Sequence, residues 1–119
     1  MLLLVPAFAQ AEYADLVQCL KSVTGSEQKQ CTQALFRQAV EELEKAYTGV
    51  LEKAARVDAD PGNSTSAAIA ESQRAWEIYR DAECRGVGGG SGRMVWVFGC
   101  LAETTRERLR ELNAPFYQR

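Results

Sequence analysis

From Ser26 to Val57 no proline interrupts the chain, and Leu35, Ala39, Leu43, Ala46, Tyr47, Val50 and Ala54 recur at spacings of three and four. On a helix of 3.6 residues per turn these positions form one apolar stripe, which must be buried against another element. The opposite face carries Glu41-Lys45 and Glu52-Arg56 at i, i+4 in the favourable acid-first order, and it reads as a solvated face. Ser26 offers a side-chain oxygen to the free N–H groups of the first turn, so the helix is predicted to open there.

The rest of the chain shows the same habit, with no alternating β-branched runs and no tight hairpin turns between apolar stretches. A first helix is predicted from about Glu12 to Val23, a third from Ser64 or Ser66 to Arg85, and a fourth from Arg93 to Asn113, ahead of a short tail with Pro115, Phe116 and Tyr117. Asp58 to Ser66 (DADPGNSTS) and Gly86 to Gly92 (GVGGGSG) are predicted loops. The first lacks the spaced acidic ligands of a calcium loop, and the second lacks the preceding strand and Gly-Lys-Ser/Thr ending of a phosphate cradle. With 119 residues, 46% of them hydrophobic, the chain is sized for one domain with a core of its own.

Charge and residue types exclude much chemistry. The 14 Lys and Arg against 16 Asp and Glu leave a net charge of -2, which removes the electrostatic case for nucleic acid or an anionic membrane. Histidine is absent, and with it the commonest general base and metal ligand. No cofactor or metal is expected, and composition alone reveals no function.

The first eleven residues, MLLLVPAFAQA, carry no charge and place Ala7 and Ala9 in the A-x-A arrangement cut by signal peptidases. Residues 1–9 therefore read as the remnant of a secretory signal, the alternative being a frayed apolar N-terminus, with the mature domain at 10–119. This segment is too short to span a bilayer. In an oxidising compartment the four cysteines, Cys19, Cys31, Cys84 and Cys100, become a disulfide framework. Of three possible pairings the local one is expected, Cys19-Cys31 and Cys84-Cys100, because each gap holds a turn signal. A four-thiolate zinc site would need closer ligand pairs.

The third and fourth helices carry the unusual residues. Ile69, Gln73, Trp76, Tyr79, Arg80 and Glu83 fall on one side of the third, and Met94, Val97, Leu101, Thr105, Arg108 and Leu112 on one side of the fourth. An arginine on such a stripe can lay its stem over aromatic rings while its guanidinium finds a carboxylate, for which Asp81 or Glu83 is a candidate. A polar network locking helix register is the expected role, with Arg80 beside Trp76 as a buried or half-buried member.

SQRAWEIYRDAEC, a Gly-Gly loop and CLAETTRERLREL together resemble the LprI-type lysozyme-inhibitor family of small helical bacterial envelope domains. The resemblance rests on Gln73, Trp76, Tyr79, Arg80, Asp81, Cys84, Gly88-Gly89, Cys100, Leu101, Thr105, Arg108 and Leu112, and Cys19 and Cys31 fit the family's N-terminal half. The chain departs from it at Leu43-Glu44, where the family commonly has Leu-Asn. The expectation is an all-α, four-helix antiparallel arrangement with two long central helices and two local disulfides. The resemblance implies a secreted or periplasmic protein that inhibits lysozyme by stoichiometric complex formation. A structural or sensory envelope module is the alternative, and a hydrolase a distant third. Animal lysozymes are strongly basic, so an inhibitor is expected to present a loop or an acidic surface. Asp58, Asp60 and Asn63 are the candidate contacts, ahead of the backbone of the Gly86 to Gly92 loop.

Overall fold

A computed structural model describes residues 13–88 and 93–118. The expected signal remnant at 1–9 and residues 89–92 of the glycine loop lie outside the described residues. The chain forms α1 (Ala14–Leu20), α2 (Gly25–Val57), α3 (Thr65–Gly86), α4 (Arg93–Leu112) and a closing 3-10 turn, Pro115–Tyr117. Consecutive helices run antiparallel. α2 and α4 are therefore parallel and form the central pair, meeting from Phe36–Phe98 at one end to Val50 and Leu112 at the other. At roughly 1.5 Å per residue the 33 residues of α2 span about 50 Å, which sets the longest dimension of the molecule at 57 Å.

The helix ends explain the boundaries. α2 opens earlier than expected from Ser26: Thr24 Oγ1 accepts from the Glu27 N–H at 3.1 Å, in a Thr-x-x-Glu pattern of capping-box form. The α2 stripe is buried at Ala39, Leu43, Val50 and Ala54, and Glu41, Lys45, Glu52 and Arg56 are exposed. α1 stops at Leu20 rather than at Val23, which is 93% exposed. Gln28 Nε2 ends it by donating to the carbonyls of Leu20 and Ser22, both at 3.0 Å. Seven residues are too few for a stable free helix. α1 is held by the Cys19–Cys31 disulfide, by an Asp15–Arg106 ion pair at 2.8 Å, and by Leu16 against the bare backbone of Gly99.

The turn from α2 to α3 works as a double cap. Pro61-Gly62 bends the chain, with Gly62 at φ 93°, the left-handed region a side chain disfavours. Asn63 Nδ2 donates to the Val57 carbonyl at the end of α2 (3.0 Å), and the Asp58 carboxylate accepts from the N–H groups of Thr65 (2.7 Å) and Ser66 (2.9 Å) at the start of α3. The cap of α3 is thus Asp58, and neither serine expected there serves: Ser64 makes no side-chain cap and Ser66 is inside the helix.

The core centres on Leu43, Val50 and Leu112, with Ala46, Tyr47, Ile69, Trp76, Leu109 and Tyr117 packed on it. At the seam of α2 and α4 the residues are small: Thr32, Ala39, Ala102 and Thr105 are all nearly inaccessible, so the two backbones approach closely. This corrects the expected stripe of α4. Its second half is right, since Thr105, Arg108 and Leu112 are buried, but in the first half Val95, Gly99 and Ala102 face inward, and Met94 is exposed. The packing surface there is set by close approach, which favours small residues over the larger ones that a wheel of hydrophobicity picks out. The expected tail is also docked, with Gln118 Nε2 donating to the Leu112 carbonyl at 2.8 Å and Lys53 Nζ donating to Gln118 Oε1.

Candidate functional site

Three places stand out, of which the first two were anticipated from the sequence. The first is the interior between α3 and α4. Arg108 is 7% exposed and Gln73 5%. Arg108 Nε donates to Gln73 Oε1 at 2.9 Å, Nη1 to Glu111 Oε2 at 2.9 Å and Nη2 to Ser72 Oγ at 3.1 Å, so the guanidinium is bonded on every nitrogen. Arg80 lies over Trp76 (5.0 Å to the centroid) and Phe36 (5.4 Å), its Nε donates to Asp81 Oδ1 at 3.0 Å, and its Nη1 reaches Thr105 Oγ1 at 3.5 Å. Trp76 lies near both guanidiniums, Arg108 being 6.0 Å away.

The structure brings Gln73, Trp76, Arg80, Thr105 and Arg108 together, with exposed Asp81 at the edge as the partner of Arg80, whereas Tyr79 and Glu83 are not part of this interior. Both are exposed, because α3 buries a narrower stripe than the wheel suggests. Asp81 is the partner of Arg80, whereas Arg108 uses Glu111 and Ser72, which the sequence reading missed. The i, i+3 spacing of Arg108 and Glu111 was the available signal. The family departure falls on exposed Glu44, beside buried Leu43.

The second place is the α2–α3 turn. Asp58 is committed to capping and Asn63 to closing α2, so of the three candidate contacts only Asp60 is an exposed side chain without a bonding task among the described residues. Hydrogen bonds from the Ser66 side chain first, then from the Ser66 and Thr65 N–H groups, hold the Asp58 carboxyl below its ordinary 3.8, outweighing the opposing effect of burial. A lowered folded-state pKa means that this contribution is present above the unfolded value and is lost as pH falls through the folded one. The stability gap between the wild type and Asp58→Asn is accordingly expected to be larger at neutral pH than near pH 3. Urea midpoints at the two pH values check this, and an unchanged gap would mean that the cap does not depend on ionisation.

The third place was not anticipated. A groove of about 600 Å³ runs between α3 and α4, with α1 closing one side. Tyr13, Tyr79 and Trp96 stand along it, each 48–59% exposed, and Cys100 of the Cys84–Cys100 disulfide lies within it. Glu83 and Glu107 line it without an ion pair or hydrogen bond among the described residues, while Glu103 and Glu111 are engaged by Arg106 (3.6 Å) and Arg108 (2.9 Å). At the α3–α4 turn Gly88 is buried, not merely a linker, and a Cβ there would collide with the Val97 side chain. No cluster of potential metal ligands occurs among the described residues, and no helix among them is long and apolar enough to cross a membrane.

Residues 19–112, from the first cysteine to the buried leucine that ends α4, match the family model of the lysozyme inhibitor LprI. The chain belongs to the LprI lysozyme inhibitor family. An uncharacterized protein of Rhizobium meliloti (strain 1021) is 37% identical over 118 residues, covering 91% of this chain and 83% of that protein. No solved structure matches. The LprI match spans both disulfides, the last two residues of α1 and all of α2, α3 and α4, and the residues on which the sequence resemblance rests fall into two groups in space. Gln73, Arg80, Thr105 and Arg108 serve the interior that fixes α3 on α4, and Tyr79 is displayed on the groove.

Proposed function

We propose that this protein is an exported binding protein, periplasmic or secreted, that inhibits a lysozyme-type muramidase by forming a stoichiometric complex. The observation that carries this reading is the LprI family match across residues 19–112. Two paired disulfides support export, since such bonds persist in oxidising compartments, and residues 1–9 then act as the signal removed to leave a single domain at 10–119. The chain's acidic excess suits a basic enzyme.

The test is lysis of cell-wall suspensions by lysozyme with the mature, oxidised domain added in rising molar ratio. Inhibition that saturates near equimolar amounts is the expected result. Undiminished lysis at about a tenfold molar excess, with a dissociation constant in the useful range ruled out by calorimetry, would overturn the inhibitor reading and favour a structural or sensory envelope module.

A further inference from the structure

We propose that the groove between α3 and α4 is the surface that receives the partner, and that what it takes is an arginine-bearing segment of a basic protein. The inference rests on the inhibitor reading for the identity of that protein, but its chemistry is drawn from the groove itself.

The surface has the two components that recognise a guanidinium. Tyr13, Tyr79 and Trp96 offer ring faces, each about half exposed although these are large apolar groups that a free-standing domain gains nothing by displaying. Glu83 on α3 and Glu107 on α4 add carboxylates that no cation of this chain engages among the described residues. A guanidinium stacks on aromatic rings and bonds a carboxylate with its planar fork, whereas an ammonium does only part of this. The chain uses the same chemistry inside, where Arg80 lies over Trp76 and pairs with Asp81.

Charge complementarity selects the occupant. Arg110 also lines the groove, but against four carboxylates, Glu83, Glu103, Glu107 and Glu111, so an anionic ligand would meet a net negative lining, whereas a strongly basic protein brings arginines to Glu83 and Glu107 and is steered there at low salt. The α2–α3 turn is the weaker candidate, because Asp58 and Asn63 are occupied in capping and only Asp60 could respond to a partner. The groove is also built from rigid parts: α3 and α4 are joined across it by Cys84–Cys100 and beneath it by the Arg108 network.

Both tryptophans of the chain, Trp76 and Trp96, line this groove, so intrinsic fluorescence reports its occupation. The oxidised protein is titrated with lysozyme by calorimetry, and with a hexa-arginine peptide, a hexa-lysine peptide and an N-acetylglucosamine oligomer by fluorescence. The same titrations are run on Glu83→Gln/Glu107→Gln, on Tyr79→Ala and on Asp60→Asn, each checked for an unchanged thermal midpoint. The expected result is binding of hexa-arginine in preference to hexa-lysine, weakened about tenfold or more in the double Gln variant and by added salt, and unaltered in Asp60→Asn. Lysozyme affinity should fall in parallel. If lysozyme binds the groove variants and the wild type equally, the groove assignment is overturned while the inhibitor reading stands. If lysozyme does not bind but hexa-arginine does, with the same dependence on Glu83 and Glu107, the inhibitor reading fails for that enzyme and the groove assignment holds for another basic partner. A groove-dependent response to the oligosaccharide alone would overturn the proposal in favour of a glycan-binding face.

Discussion

Arg108→Ala is expected to lower the free energy of unfolding by about 3 kcal/mol or more, the largest loss from any single side chain in the α3–α4 interior. The guanidinium is buried and bonded to Gln73, Ser72 and Glu111, so its removal leaves a cavity and strands the Gln73 amide, itself 5% exposed, without its charged partner. An unsatisfied buried polar group alone costs about 1–3 kcal/mol. Arg108→Met separates the two contributions, since it keeps most of the stem and strands the same amide. Adding Gln73→Leu should then recover much of the loss, because replacing both partners by apolar groups of similar shape can be nearly neutral. Arg80→Ala should cost less, about 1–2 kcal/mol, because its contribution is ring stacking and stem packing while its ion-pair partner Asp81 is 54% exposed. Exposed Arg56→Ala should stay within about 0.5 kcal/mol. Urea denaturation of the set measures the order. Equal midpoints for Arg108→Ala and Arg56→Ala would show that the network contributes nothing to stability.

Removing the Cys84–Cys100 disulfide as Cys84→Ser/Cys100→Ser is expected to cost about 3 kcal/mol, the chain-entropy value for a loop of this size. A domain has roughly 5–15 kcal/mol in total, so loss of both bonds should leave the chain close to unfolding at body temperature. The two bonds should nevertheless fail differently. Cys84–Cys100 joins the C-terminal end of α3 to the first turns of α4 and lies in the middle of the structure, with Cys84 at 0% exposure. Its loss should lower the global midpoint. Cys19–Cys31 ties on a seven-residue helix at the periphery, so its loss should release α1 to proteolysis before the remaining helices unfold. Limited proteolysis followed by mass mapping, alongside thermal melts of the two double variants, distinguishes these outcomes. Equal protection of α1 in both would mean that Leu16 and the Asp15–Arg106 pair hold it without the disulfide.

Much of this architecture was legible because it depends on local chemistry. The 3.6-residue stripe of α2, the turn residues around Pro61-Gly62 and the spacing of the cysteines each act over a few residues, and the corresponding helix, turn and two local disulfides are all present. Errors arose where a helix end is satisfied by a residue outside the local pattern. Asp58 reaches across the six residues 59–64 to cap α3, and Gln28 reaches back from α2 to close α1, neither of which a rule about adjacent positions detects.

The sequence by itself determined the fold class, the disulfide pairing and the family, since periodicity, turn chemistry and the spaced signature from Gln73 to Leu112 are written along one dimension. Only the tertiary structure decided which polar residues are interior and which are displayed. Tyr79 and Arg80 are neighbours in the chain, yet one stands in the groove and the other lies against Trp76 and Phe36. Glu111 and Glu107 are one helical turn apart, yet one is engaged by Arg108 and the other is open to a partner. The physical reason is that α4 packs on α2, α3 and α1 at once, so a residue's environment depends on where three other helices pass rather than on its own hydrophobicity.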